Sequence, residues 1–270
     1  MNRKIGVIGA GFVGNAIINA YQLAEYEVVV VDPKYNNTTI DQLLDEDPAV
    51  IFIAVPSPSN PDGSCDTSIL ESIVEQLRYY RSPIISKVTA PPDVYEKLSN
   101  KYINFLYVPE FLTAANADQD YLDTKILMIG GSDEWIMDYA KVYLKAGQPN
   151  ITHIVYGDIK TVSLVKYTIN TFLATKVTFL NQIHSLCQEA GINYDHVRNA
   201  IMSDERMGSS HFNVPGIDNQ FGFGGACFPK DTKALLHYAK TLNVKLDVLE
   251  TAIEANERIV KNNIVNKVID

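Results

Sequence analysis

The sequence predicts an α/β protein: a doubly wound parallel sheet over residues 1–156, then a helical domain over 157–270 built around one long central helix. Three observations predict it. Short β-rich runs alternate with helical segments through the first half, which is the pattern of βαβ units. A glycine-rich turn, Gly9 to Gly14, separates the first such run from the first helical one. From Asp158 to Ala190 the chain then carries neither proline nor glycine, while Leu164, Ile169, Phe172, Leu180, Ile183 and Leu186 recur at a roughly helical period.

In chain order, Lys4 to Ile8 reads as a strand and Phe12 to Ala24 as a helix. Strands follow at Glu27 to Val31, Val50 to Val55, Pro83 to Val88 and Phe105 to Val108, with helices at Ile69 to Arg78 and Val94 to Leu98. Later strands are expected at Ile126 to Ile129 and Ile151 to Val155, with a helix over Glu134 to Ala146 between them. The long helix spans nearly 50 Å at about 1.5 Å per residue, and Gly191 ends it. A short helix, Asp195 to Ile201, leads into a Gly-rich stretch from Met207 to Gly225, and helices follow over Asp231 to Thr241 and Val248 to Ile269.

Composition narrows the function. The 23 Lys and Arg against 32 Asp and Glu leave a charge of −9, which repels a nucleic-acid backbone. The longest apolar run, Ala49 to Val55, falls far short of the ~20 residues of a membrane span. The basic Met1 to Lys4 runs straight into a strand and glycine turn, so no secretory leader is expected. Cys65, Cys187 and Cys227 make no Cys-x-x-Cys pair, and His153, His184, His196, His211 and His237 show no ligand spacing. Neither a disulfide framework nor a metal site is expected. The simplest expectation is a reduced, soluble, cytoplasmic protein.

Gly9-Ala10-Gly11-Phe12-Val13-Gly14 fits Gly-x-Gly-x-x-Gly. The pattern alone is weak, but here it follows a strand and opens a helix, as a Rossmann-type dinucleotide site requires. Gly9 makes the turn, Gly11 admits a pyrophosphate against the backbone, and Gly14 brings helix and sheet together. The helix N-terminus offers free N–H groups and a positive dipole end. Asp32 closes the second strand where a carboxylate meets the adenine-ribose hydroxyls; it repels a 2′-phosphate, so NAD is favoured over NADP, though Lys34 close by tempers the choice. Ser57 and Thr89 follow the third and fourth strands, at the sheet edge where ligands gather. Each is equally well a turn hydroxyl.

The most informative segment is Phe221 to Asp231. Three glycines in Gly222-Phe223-Gly224-Gly225 let backbone approach a ligand. Cys227 then stands just before a helix with Lys230 beside it, and a helix N-terminus and a cation both stabilise a thiolate. Cys65 and Cys187 read as packing residues. Lys166 and Asn170 share one face of the long helix, and Glu110 follows the fifth strand in Pro109-Glu110-Phe111-Leu112. Taken singly, these three are better read as a snorkelling lysine, a solvated amide and a surface carboxylate.

Taken together and in this order, the fingerprint, Pro109 to Leu112, Lys166 with Asn170, and Gly224-Gly225-Ala226-Cys227-Phe228-Pro229-Lys230-Asp231 resemble the motifs of the nucleotide-sugar dehydrogenases, most closely those that oxidise UDP-glucose. The resemblance runs from Lys4 to about Ile269. It implies a four-electron oxidation of a primary alcohol to a carboxylate with two NAD in turn. In that scheme Asp231 holds a base or activated water, Cys227 carries a thiohemiacetal and then a thioester, and Glu110 helps water to hydrolyse it. Lys166 and Asn170 stabilise oxyanions, and Lys230 lies near cofactor and thiolate. The resemblance places the sugar nucleotide on Glu110, Phe111, Leu112, Lys166, Asn170, Phe212, Asn213 and Gly224.

There are departures. Thr113-Ala114 stands where the family has Arg-Glu or Ala-Glu, removing a second carboxylate. Residues 217–220 lengthen the loop after His211 to Pro215. The family also continues past the last helix into a third domain that grips the base, and the chain stops at Asp270, so that domain is expected to be absent. GDP-mannose or a UDP-N-acetyl sugar remains open as substrate, as does a catalytically weak NAD-binding partner of a full-length dehydrogenase. A β-hydroxyacid dehydrogenase needs no nucleophilic cysteine, which argues against it. A homodimer is expected through the long helix and the last one, with Leu246, Val248, Leu249, Ile253, Ile259, Ile264 and Val268.

Overall fold

A computed structural model describes residues 2–113 and 115–269, with side chains described through residue 262. The chain divides into two compact units, Met1–Pro58 with Cys65–Lys166, and Ser59–Ser64 with Tyr167–Asp270.

In the first unit the chain runs β1 (Lys4–Ile8), α1 (Phe12–Leu23), β2 (Glu27–Val31), α2 (Ile40–Asp45), β3 (Ile51–Ile53), α3 (Ser68–Gln76), β4 (Ile84–Ser86), α4 (Pro92–Lys101), β5 (Phe105–Tyr107), α5 (Ala117–Leu122), β6 (Ile126–Gly130), α6 (Glu134–Gly147) and β7 (His153–Gly157). The strands form one sheet in the order β2-β1-β3-β4-β5-β6-β7. Side chains alternate across it, as the period of a strand demands. Ile51 and Ile53 of β3, Ile84 of β4 and Phe105 and Tyr107 of β5 pack on one face with Leu43, Leu70, Val74 and Tyr95. Phe52, Ile85 and Leu106 pack on the other with Ile17, Tyr21, Tyr121 and Leu144. Both faces are covered by helices, which is why these strands are apolar throughout.

Two features depart from the expectation. The sheet is not wholly parallel: β6 meets β5 antiparallel at Tyr107 and Gly130, and β6 and β7 run parallel to each other. Helix α2 was not expected either, although Thr39 and Gln42 form a capping box: the Thr39 hydroxyl accepts from the Gln42 N–H at 3.2 Å and the Gln42 amide oxygen from the Thr39 N–H at 2.9 Å. With β1 between β2 and β3, the chain leaves β1 in opposite directions, and the crevice at the C-terminal ends of these strands is the topological switch point.

The second unit is helical. The long helix, α7 (Ile159–Glu189), begins in the first unit and is followed by α8 (Tyr194–Met202), a 3-10 turn at Glu205–Met207, α9 (Phe228–Thr241) and α10 (Asp247–Ile269). The long helix buries polar as well as apolar side chains. Leu180 is buried, but so are Asn170, Thr171, Thr178 and Asn181, whereas Phe172, Phe179 and Leu186 are 66%, 55% and 62% exposed. Leu249 of α10, expected on an outer surface, is buried in the core, while Val248 is exposed. The side chains of Ile264 and Val268 lie outside the described residues. Among the described residues no helix is long and apolar enough to cross a membrane.

Glycine geometry supplies a stability test. A Cβ on Gly14 would lie 1.9 Å from the carbonyl oxygen of Gly9, whereas one on Gly11 would meet nothing within 4 Å. Gly14→Ala should therefore cost ~1–3 kcal/mol, because backbone rather than a flexible side chain must move. Gly11→Ala should melt like the wild type. Thermal denaturation followed by circular dichroism checks both.

Candidate functional site

The dinucleotide turn is built as its sequence pattern requires. Gly9 has φ +95°, and a Cβ there would sit 2.6 Å from the Ala54 carbonyl oxygen. Gly11 is the N-cap of α1 and supplies no side-chain cap, so the first N–H groups of the helix keep no protein acceptor from that side. The open space over Gly11 and these donors fit a pyrophosphate. Asp32 follows β2. One carboxylate oxygen accepts from the Ala10 N–H at 2.8 Å and the other from the Lys34 N–H at 2.7 Å. Those two backbone bonds, Ala10 first, hold its carboxyl below the usual range. A carboxylate has lone pairs left for ribose hydroxyls beside these bonds. The residues present thus fit a dinucleotide.

At the ends of β3 and β4, the Ser57 hydroxyl donates to the Thr89 carbonyl at 2.9 Å. Cys65 Sγ lies 3.5 Å from the same carbonyl oxygen. Ser57 thus ties two loops of the crevice together, and Thr89 is half-buried beside it.

Glu110 is no surface carboxylate. It is buried after β5, and its side chain pairs with Lys87, whose side chain is 0% exposed. Lys166 is buried too: its ammonium donates to the Glu110 carbonyl oxygen and stands 4.3 Å from the centre of the Phe111 ring. The snorkelling reading of Lys166 therefore fails. Phe111 is 42% exposed and Leu112 half-buried. Residues Pro109 to Thr113, with Asp120, Asp123 to Leu127 and Gln148, line a cavity of about 460 Å³. Ala114, the departure from the family pattern, lies outside the described residues.

In the second unit Asn170 donates its amide to Asp231 at 2.6 Å. Asp231 is 1% exposed, and its other oxygen is 2.8 Å from Lys230 Nζ, without the alignment of a hydrogen bond. Lys230 is thus placed on Asp231. Cys227 is the N-cap residue of α9, half-buried and free, with Pro229 in the first turn. Before it, Gly224, Gly225 and Ala226 are exposed. Phe212 is buried under the Lys176 ammonium, 3.6 Å from its ring centre. Asn213 is exposed beside Arg198. Cys187 is buried, in keeping with a packing role.

Three residues that support these groups escaped the sequence reading. Lys87 follows the apolar β4 directly, and a lysine at the end of a buried strand was the available signal. Asn256 grips Phe223, accepting from its N–H at 2.7 Å and donating to its carbonyl at 3.0 Å, and Asn181 accepts from the Gly222 N–H at 2.9 Å. Neither asparagine stands out from its helix by pattern.

The fold and the dinucleotide turn define the class, a protein with a Rossmann-type dinucleotide-binding domain. The chain belongs to the UDP-glucose/GDP-mannose dehydrogenase family: the family's NAD binding domain matches residues 36–145 and its central domain residues 160–258. NAD is accordingly the cofactor, and the glycine turn precedes the matched residues. The UDP-glucose 6-dehydrogenase TuaD of Bacillus subtilis is 28% identical over 95% of this chain and 63% of its own length. A UDP-glucose 6-dehydrogenase of Rickettsia bellii is 31% identical over 77% of this chain and 49% of its own. A solved UDP-glucose dehydrogenase from Pyrobaculum islandicum superposes with a TM-score of 0.76 at 25% identity, over 96% of this chain and 68% of that one. The chain thus spans about half to two thirds of the length of the curated relatives it matches.

Asp32 gives a pH test. Its folded-state protonation is held down, so the unfolded chain binds more protons as pH falls and the contribution is lost on acidification. Asp32→Asn should melt a few degrees lower at pH 7. The gap should close as pH falls from ~4, the ordinary Asp value, through the lower folded value. A gap that widens with acid would show that the carboxylate does not hold the turn.

Proposed function

We propose that this chain oxidises a nucleotide sugar, UDP-glucose in the first place, to its uronate by two successive NAD-dependent steps through Cys227. The observation that carries the reading is the setting of Cys227. It stands at the start of α9 after three exposed small residues, and the buried Asn170–Asp231 pair lies one turn into the same helix. A cysteine kept for packing needs none of this. The curated relatives named as UDP-glucose 6-dehydrogenases support the choice of sugar.

Bound NAD supplies the hydride acceptor. Gly9 to Gly14 and the start of α1 hold its phosphates, with Ala10, Phe12 and Val13 giving backbone around them; Asp32 takes the ribose, and Ser57, Thr89 and Lys230 border it. The protein's own work is then proton handling and covalent capture. In the first oxidation the substrate hydroxyl proton passes to a base or water held by Asp231. Cys227 adds its sulfur to the aldehyde carbon to give a thiohemiacetal, and loss of the second hydride leaves a thioester. Water, activated by Glu110, replaces the sulfur and yields the carboxylate. Lys166 and the Asn170 amide stabilise the oxyanions on the way. Phe111, Leu112, Phe212, Asn213 and Gly224 are assigned to the sugar nucleotide.

A homodimer belongs to the same reading. Phe172, Phe179 and Leu186 recur every seven residues on α7 and are exposed, so the helix offers an apolar seam that nothing among the described residues covers. Light scattering at micromolar concentration should give twice the chain mass, and Phe172→Glu with Phe179→Glu should return it to one. A wild-type monomer would remove this part.

The chemistry is tested with a panel of nucleotide sugars and NADH absorbance. Each UDP-glucose consumed should yield two NADH. Cys227→Ser should slow turnover by ~10³-fold or more, because the serine hydroxyl is far less ionised and its ester is a poorer leaving group. An acyl adduct should appear in the intact mass. Cys65→Ser and Cys187→Ser should leave turnover nearly intact. One NADH per sugar with an active Cys227→Ala would replace the scheme by a single hydride transfer. NAD binding with no turnover on any sugar would favour a partner of a longer dehydrogenase, and turnover on GDP-mannose or a UDP-N-acetyl sugar instead would reassign the substrate.

A further inference from the structure

Lys87 has no place in the scheme above, and it is the most completely buried cation among the described residues. Its side chain is 0% exposed. It emerges just after β4, anchored by its backbone N–H on the Ile53 carbonyl at 2.9 Å. A lysine is almost never placed so deep without a partner. Its ammonium donates to Glu110 Oε1, and the ring of Tyr121 lies 5.7 Å away.

Glu110 is equally enclosed, with its side chain 7% exposed. A carboxylate withdrawn from water this far becomes a neutral acid unless a cation or hydrogen-bond donors hold its charge. The groups around it come from four elements. Lys87 follows β4. Lys166 of α7 donates to the Glu110 carbonyl oxygen of the main chain. Tyr121 of α5 and Tyr21 of α1 are phenols that burial pushes well above their ordinary range, so both are neutral at working pH. Lys87 is bonded to the carboxylate itself.

We propose that Lys87 is a positioning residue for hydrolysis: it keeps Glu110 as an aimed carboxylate, able to take the proton of the water that cleaves the Cys227 thioester. The inference rests on the proposed function, since it assigns Glu110 the hydrolytic step. In that step the water oxygen bonds to the acyl carbon, one water proton passes to Glu110, and the carbon–sulfur bond breaks with its electron pair on Cys227. The oxidations precede this step and do not use Glu110. Burial pushes the Lys87 ammonium below its ordinary value while Glu110 opposes that shift, so each charge depends on the other.

The test is Lys87→Met, with Lys87→Arg as the conservative variant and Glu110→Gln as reference. Lys87→Met should release two NADH per active site in a burst and then stall, with the acyl group on Cys227 visible by mass. Its steady-state rate at pH 7 should fall ~10²-fold. The acid limb of its pH profile should move up by ~1–3 units, so that alkali restores turnover. Lys87→Arg should recover much of the rate. A purely structural role would lower the rate equally at every pH, without an adduct, and would overturn the proposal. So would a Lys87→Arg as impaired as Lys87→Met.

If Lys87→Met does not fold, the double variant with Glu110→Gln removes both charges together. Its turnover should match that of Glu110→Gln alone, and a further loss would show that Lys87 acts elsewhere. A readout independent of turnover is the infrared band of a protonated carboxylic acid at neutral pH. Both wild type and the double variant should lack it, and Lys87→Met, or Lys87→Gln where that folds instead, should show it. If no nucleotide sugar gives NADH but this band behaves as stated, the proposed function fails while the charge assignment stands. If turnover is normal and the band never appears, the assignment fails and the function stands.

Discussion

A buried helix face made of polar side chains has to find a hydrogen-bond partner for each of them, since an unsatisfied buried group costs ~1–3 kcal/mol. Helix α7 has such a face, and much of the molecule's functional geometry follows from where its partners lie. In the first unit Ser163 donates to the Ala90 carbonyl at 2.7 Å, beyond Thr89, and Lys166 reaches the carbonyl of Glu110. In the second, Asn170 meets Asp231 and Asn181 receives the Gly222 N–H. The same helix therefore bonds to loop backbone at Ala90, Glu110 and Gly222 and to the Asp231 carboxylate in α9. Phe172, Phe179 and Leu186 lie on the exposed face of the same helix, whereas Tyr167 is buried together with its amides and its lysine.

The cysteine loop shows what such contacts achieve. A glycine-rich stretch has the largest conformational freedom to lose on folding, and nothing in residues 221–226 belongs to a helix or strand. Asn256 fixes Phe223 through both its N–H and its carbonyl, and Asn181 fixes Gly222. Two amides on two helices thus hold the start of the loop, while the start of α9 holds its end. Between these anchors Gly224 to Ala226 stay exposed, and Cys227 inherits a defined position without being packed into the core.

What could be read from the sequence divides along the same line. The alternation of Phe52 with Ile51 and Ile53, or of Leu106 with Phe105 and Tyr107, is local, and so are the glycine turn and the proline- and glycine-free long helix; these predicted strands, turn and helix close to their observed bounds. Strand direction is not local. Nothing in Ile126 to Gly130 says that β6 runs against β5, because the direction belongs to the pairing of two strands and not to either run alone. Helix α2 was legible from the Thr39–Gln42 pair, but its six residues are too few for a period to show. Cys227 and its helix stood out by glycine, cysteine and charge in one run. Lys87 and Asn256 did not, since each matters through a partner 23 or 33 residues away.

The Lys87–Glu110 pair also bears on how a fold and a site share one interior. Withdrawing two charges from water is expensive, and replacing a buried ion pair by apolar residues of similar volume is often neutral or stabilising. The sheet offers such a replacement on every side: Ile85 and Leu106 occupy the same face of the neighbouring strands with no polar group at all. An apolar pair at positions 87 and 110 would therefore serve the core at least as well. Removing only one charge would be worse than removing both, because the other would remain buried alone. The fold thus gives no reason for either charge, and each is needed only because the other is present. The reason for the pair has to lie in what one of its members does. Glu110 is the member that precedes the exposed Phe111 and lines a cavity, whereas Lys87 is wholly enclosed. On the proposed reading the carboxylate is the member that acts, and the lysine is the one that positions it.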